Sequence, residues 1–197
     1  LREAARQIEQ EYGVPISLAL HTAPAMRDPA MWQKFEQDAL AADFIFGCMI
    51  FGEEFVRPMQ DILSRATAPI CFITSNPALI YTTRLGKFIL APQDDDKKPG
   101  LVSKWMQKMR PKSNGRAEGH RQTAMFTNLT KLMKYVPGKV RDIHTFVAVH
   151  EYWLHSSPEN LARMMMMFIE RYVPGYAGKL PILDAILDTV PEPGLDP

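Results

Sequence analysis

The chain has 197 residues, 46% of them hydrophobic, enough for one sizeable core or one core with a helical appendage. Its formal net charge of +1 singles out neither nucleic acid nor an acidic membrane surface as a partner. No apolar run reaches the about 20 residues that a membrane-spanning helix needs, and no signal-peptide pattern opens the chain. Cys48 and Cys71 each lie in an apolar run and read as buried, reduced thiols; no CxxC or Cys/His spacing suggests structural zinc.

Residues 2–12 read as a helix with Ala5, Ile8 and Tyr12 on one face, stopped by Gly13. Val14 to His21 is expected to be a strand, with Pro15 near its start, where a missing N–H costs little. Asp28-Pro29 is a cap followed by proline in the first turn, and Met31, Phe35 and Ala39 then repeat along one face up to Ala42. Asp43 to Gly47 is the next strand; Glu53 or Glu54 opens a helix to about Ala66 whose apolar side is Phe55, Met59, Ile62 and Leu63. Pro69 to Thr74 is a third strand. Ser75 or Asn76 caps a helix carrying Leu79, Ile80, Thr83 and Leu85 and closing at Gly86.

The alternation of strands with helix-length connections predicts an α/β fold with a parallel, three-layer Rossmann-like sheet, its strands apolar on both faces. The chain opens in mid-helix and ends in a proline-rich tail, so both ends read as cut from a longer polypeptide, and a further strand is expected upstream of Leu1. Three regions are expected: an α/β domain over 1–90, a basic, partly disordered linker with a short helix (Leu101 to Met109) over 91–119, and a mainly helical segment over 120–197. Within the last, helices are predicted over 120–135, 139–154 and 158–172, the third opened by Ser156-Ser157-Pro158-Glu159.

The expected site is the edge of the sheet at the strands' carboxyl ends, where open α/β folds bind ligands. His21, Glu53, Thr74, Ser75 and Asn76 fall there as candidate binding residues. Each has a plainer reading. Glu53 and Glu54 suit the positive N-terminus of their own helix, and Ser75 and Asn76 serve as caps. Gly47 and Gly52 lack the spacing of a nucleotide-binding loop, His150-Glu151 is not an HExxH motif, and neither a catalytic nor a metal-binding set emerges. The run Met164 to Met167 reads as core rather than as a ligand surface. The lysines and arginines of 97–116 around Trp105 read as a solvated face rather than a nucleic-acid site.

The order of segments adds a resemblance. Ala-Asp-Phe-Ile-Phe-Gly-Cys-Met-Ile-Phe-Gly-Glu-Glu (42–54), Thr-Arg-Leu-Gly-Lys-Phe (83–88), Lys-Leu-Met-Lys-Tyr-Val-Pro (131–137) and Tyr-Trp-Leu-His-Ser-Ser-Pro-Glu-Asn-Leu (152–161) follow one another as in the large porphyrin-binding subunit of magnesium chelatase; Tyr172-Val173-Pro174 continues the match. Over roughly residues 8–180 the chain resembles the N-terminal region of that much longer subunit. The resemblance implies part of an enzyme that inserts Mg²⁺ into protoporphyrin IX for chlorophyll or bacteriochlorophyll synthesis. It implies two partners, an AAA+ ATPase subunit and its companion, which use ATP. It also implies a cytoplasmic location, or the chloroplast stroma in a plant or alga. Protoporphyrin IX and Mg²⁺ are then substrates of the whole enzyme, no cofactor is expected in this region, and its role is structural, gating or partner docking. The alternative is a stand-alone α/β module that binds a small ligand through His21, Glu53 and Thr74 to Asn76.

Overall fold

Apolar stripes at helical spacing and two short, wholly apolar strands dictate the layering seen in the computed structural model, which describes residues 1–90 and 139–181. Helix α1 (Arg2–Tyr12) ends at Gly13, whose left-handed φ of 66° and N–H to Glu9 O close the last turn. A single 3₁₀ turn (Ala25–Arg27) leads into α2 (Pro29–Ala41), β1 (Ile45–Cys48), α3 (Glu53–Arg65) and β2 (Ile70–Ile73). One helical turn, α4 (Pro77–Ile80), precedes β3 (Arg84–Leu85) and β4 (Phe88–Ile89), and two long helices follow, α5 (Lys139–Leu154) and α6 (Pro158–Tyr172). The caps expected from sequence form. Asp28 accepts from Ala30 N at 2.9 Å, Asn76 from Ala78 N at 2.9 Å and Ser157 from Asn160 N at 3.2 Å, each ahead of a proline at the first helical position.

The described strands form one sheet in the order β1-β2-β3-β4. β1 and β2 are parallel, with Ile45 opposite Ile70 and Cys48 opposite Ile73, and α3 crosses between them. Successive side chains point to opposite faces. Ile45, Ile70 and Phe72 pack under α2 and α3 with Phe35, Phe55, Met59, Ile62 and Leu63. Phe46, Cys71 and Ile73 pack under α5 and α6 with Phe146, Val149, Met164, Met167 and Phe168. Phe44 stacks on Phe168 with ring centroids 4.0 Å apart, and Phe46 lies 5.3 Å from Trp153. The methionine run is core, as expected: Met164 and Met167 face the sheet, while Met166 and Ala162 pack with Ala4, Ile8 and Val14 beside α1.

The α/β class followed by a helical segment is present, with two local corrections. Val14 to His21 is not a strand: Val14 and Ile16 pack into the cluster between α1 and α6, and no ladder forms along the segment. The helix expected to close at Gly86 is one turn followed by a β-hairpin, so the sheet is mixed rather than all parallel. The hairpin wins because Thr83, fully buried, takes Phe72 N on its hydroxyl at 3.0 Å, which holds the chain against β2. Gly86 then turns with a φ of 54° that only glycine adopts without strain. The predicted helices over 101–109 and 120–135, and the motif at 131–137, lie outside the described residues.

Candidate functional site

The parallel pair places two loops side by side at the carboxyl ends of β1 and β2. Met49, just past β1, has a φ of 59° and Thr74, just past β2, a φ of 45°, both in the left-handed region that costs an L-residue about 1–2 kcal/mol. Hydrogen bonds hold the loops together: Met49 N donates to Thr74 O at 2.9 Å, and Asn76 N donates to Ile50 O at 2.7 Å. Buried Ser75 accepts from Ile50 N at 3.3 Å and donates to Ile73 O at 2.9 Å. The Asn76 amide caps α4 through its oxygen and donates from its nitrogen to Glu53 Oε1 at 2.8 Å. Four of the five candidate residues, Glu53, Thr74, Ser75 and Asn76, therefore share this edge, and the polar contacts of Ser75 and Asn76 are largely with their neighbours. What the edge presents outward is apolar: Met49 is 57% exposed and Phe51 56%.

His21 belongs elsewhere. Its Nε2 lies 2.8 Å from Asp38 Oδ2 on α2, and its ring meets Phe35 edge-on at 5.3 Å. That pair ties the segment after α1 to the outer helical layer. Asp38 carries no sequence signal of its own, because a lone acid between Gln37 and Ala39 in a helix is ordinary.

Two titratable groups withdrawn from water, His150 and Glu151, lie on α5, and the two thiols, Cys48 and Cys71, lie on β1 and β2. His150 is fully packed, with Nδ1 2.8 Å from Phe146 O; burial lowers its pKa to about 4 despite that carbonyl. Burial raises Glu151 to about 7 and the half-buried thiol of Cys48 to about 11. Both cysteines are free. Among the described residues no cluster of three or more His, Cys, Asp or Glu side chains is arranged to hold a metal ion, and no helix is long and apolar enough to cross a membrane.

A second polar centre, unforeseen from sequence, lies beneath the opposite end of the sheet. Asp142, 2% exposed, accepts from Lys87 N at 2.8 Å and from the Tyr172 hydroxyl at 3.1 Å. It pins the β3–β4 turn to α5 and α6. Arg84 donates to the carbonyls of Leu63 (3.1 Å) and Ala66, closing the end of α3. The segment Arg84-Leu85-Gly86-Lys87-Phe88 thus has a packing or hydrogen-bonding task at each position, with Leu85 and Phe88 in the core. The same holds for 152–161: Ser157 caps α6, and buried Asn160 donates to His155 O at 2.7 Å, fixing the α5–α6 turn.

Comparison with known proteins gives these segments a context. Residues 1–147 match the family described as Domain of unknown function (DUF3479). The chain is 27% identical over 158 residues to the chloroplastic ChlH subunit of magnesium chelatase from Oryza sativa subsp. indica, covering 78% of this chain and 11% of that protein. It is 24% identical over 173 residues to the magnesium-chelatase H subunit of Cereibacter sphaeroides (85% of this chain, 14% of that protein) and 24% identical over 165 residues to that of Rhodobacter capsulatus (80% and 13%). The chain therefore spans 11–14% of the length of these relatives. The resemblance read from the four motifs and these similarities coincide, and the chain belongs to the DUF3479 family.

Proposed function

We propose that this chain serves as part of the porphyrin-binding subunit of a magnesium chelatase, and that within it these residues scaffold and dock rather than perform chemistry. The whole enzyme inserts Mg²⁺ into protoporphyrin IX, an AAA+ ATPase subunit and its companion supplying the work of ATP hydrolysis. Insertion requires removal of two porphyrin N–H protons and of the tightly held waters of Mg²⁺, tasks for bases and oxygen ligands in the remainder of the subunit. Bacterial forms act in the cytoplasm and plant forms in the chloroplast stroma.

The observation that carries the docking role is the chemistry of the strand-end edge. Ser75 and Asn76 spend their hydrogen bonds on Ile50, Ile73, Ala78 and Glu53, while Met49 and Phe51 stand out into solvent from a strained, interlocked pair of loops. Exposed apolar side chains on a rigid mount suit a protein contact better than a proton transfer. The test is the full-length porphyrin-binding subunit carrying Met49→Ser and Phe51→Ser, reconstituted with its partner subunits. Magnesium insertion should slow severalfold while porphyrin affinity and melting temperature stay at parent values. An unchanged insertion rate, or a loss of porphyrin affinity with partner binding intact, would overturn the docking role.

A further inference from the structure

β1 is the last strand on its side of the sheet, and its outer edge is open among the described residues. The direction of that edge follows from one bond: Ile45 N donates to Pro69 O, toward β2. By alternation Gly47 also faces β2, and Met49 N does so by its bond to Thr74 O, whereas the N–H and C=O groups of Phe46 and Cys48 point to the open side. An open edge next to apolar side chains is an unusual place to leave a strand unpaired.

The positions of the helices say what belongs there. α3 connects β1 to β2 across the face that holds Ile45 and Phe72, and α2 packs on that same face. A right-handed crossover on a given face always steps sideways in one direction. The segment that precedes α2, Val14 to His21, therefore belongs on the side of β1 away from β2. α1 lies on the opposite face, packed against α6 beyond the point where Phe168 meets Phe46 of β1 and Phe44 just ahead of that strand. A crossover through that face steps the other way. The strand that feeds α1 must then lie inward of Val14 to His21, in the lateral slot between that segment and β1. This placement also accounts for Val14 to His21 having no ladder with β1 although a helical crossover, α2, joins them.

We infer that the open edge of β1 is the receiving site for a strand from the polypeptide immediately upstream of Leu1, inserted parallel to β1 and between β1 and residues 14–21. The order then becomes 14–21, inserted strand, β1, β2. The occupant is a run of about five residues, apolar on both faces because it lies between the α1–α6 layer and the α2 layer. The relatives are long enough to provide it, since the chain spans 11–14% of their length. The inference stands on topology and does not depend on the chelatase reading.

Residue-level amide exchange tests it. The 197-residue chain is compared with the same chain extended by about 15 upstream residues of its gene, a strand plus its loop to α1. In the shorter chain Gly47 and Met49 should be protected, and Phe46 and Cys48 should exchange on the order of 100-fold faster. In the longer chain Phe46 and Cys48 should slow to match, and alternate amides within 14–21 should gain protection together with them. If the longer chain does not fold, the same 15-residue peptide added in trans to the shorter chain should give the same pattern. Protection of Phe46 and Cys48 in the shorter chain overturns the inference, pointing to a second copy if it depends on concentration and to another segment of this chain if it does not. Protection of β1 without residues 14–21 overturns the inserted position, and a gene whose coding sequence begins at Leu1 overturns the occupant.

Discussion

Replacing Asp142 should cost a large part of the stability of the described fold. Its carboxylate is 2% exposed and accepts two hydrogen bonds, from Lys87 N at 2.8 Å and from the Tyr172 hydroxyl at 3.1 Å, joining residues 55 and 30 positions apart. A bond to a charged acceptor contributes about 1.5–3 kcal/mol. Asp142→Ala should therefore lose about 3–5 kcal/mol, a large share of the 5–15 kcal/mol typical of a whole domain. Tyr172→Phe removes one bond and should lose about 1–2 kcal/mol. Gly86 couples to the same carboxylate, because a Cβ there would lie 2.6 Å from Asp142 Oδ2 at a φ of 54°. Gly86→Ala should cost about 2–3 kcal/mol in the parent, but about 1 kcal/mol less in the Asp142→Ala background, where only the backbone strain remains. Urea unfolding of the four single and double variants gives these values as midpoint shifts at constant slope. An Asp142→Ala midpoint within about 1 kcal/mol of the parent, or strict additivity with Gly86→Ala, would refute this account of the hairpin.

Three further outcomes are expected. Gly47→Ala on β1 would put a methyl 2.2–2.6 Å from ring carbons of Phe72 and should cost about 1–3 kcal/mol, partly recovered by Phe72→Leu; a neutral result contradicts the packing of that face. Thr74→Gly should raise stability by about 1 kcal/mol by relieving a left-handed φ at an exposed, β-branched residue, and a loss of stability in thermal melts would contradict the strain. His150 and Glu151 should give opposite pH slopes. The unfolded chain binds the His150 proton more tightly between about 4 and 6.5, so that contribution falls as pH drops; the folded chain binds the Glu151 proton more tightly between 4.5 and about 7, so that one falls as pH rises. Glu151→Gln should therefore tilt the stability profile over pH 4.5–6.5 upward with pH, and His150→Gln downward, each by no more than about 1.4 kcal/mol per pH unit; parallel profiles contradict the burial of both groups.

Features encoded by neighbouring residues were legible in the sequence. Asp28-Pro29, Asn76-Pro77 and Ser157-Pro158 each announce a helix start because cap and proline act within one turn, and the periodic runs at 2–12, 139–154 and 158–172 became helices with those bounds. Features that need a distant partner were not. Leu79 and Leu85 look like one helical face until Thr83 is seen bonded to Phe72, 11 residues earlier. His21 at the end of an apolar run looked like a strand-end ligand, and its partner Asp38 lies 17 residues on, in the next helix. Glu53, Ser75 and Asn76 fall at one edge because parallel strands bring their carboxyl ends together, and the Asn76 cap is legible there; the bonds across the two loops, Ile50 N to Ser75 at 3.3 Å and Asn76 to Glu53 at 2.8 Å, arrive only with the fold. Asp142 was invisible for the same reason: an acid in a first helical turn is ordinary, and its two donors arrive only with the fold.

The scaffold-and-dock assignment is tested most directly by titrating the 197-residue chain with a soluble porphyrin and following quenching of Trp32, Trp105 and Trp153. The account predicts no saturable quenching beyond that given by an unrelated aromatic dye. Saturable quenching at micromolar porphyrin, lost on Met49→Ser with Phe51→Ser, would contradict it and place part of the porphyrin site at the carboxyl edge of β1 and β2.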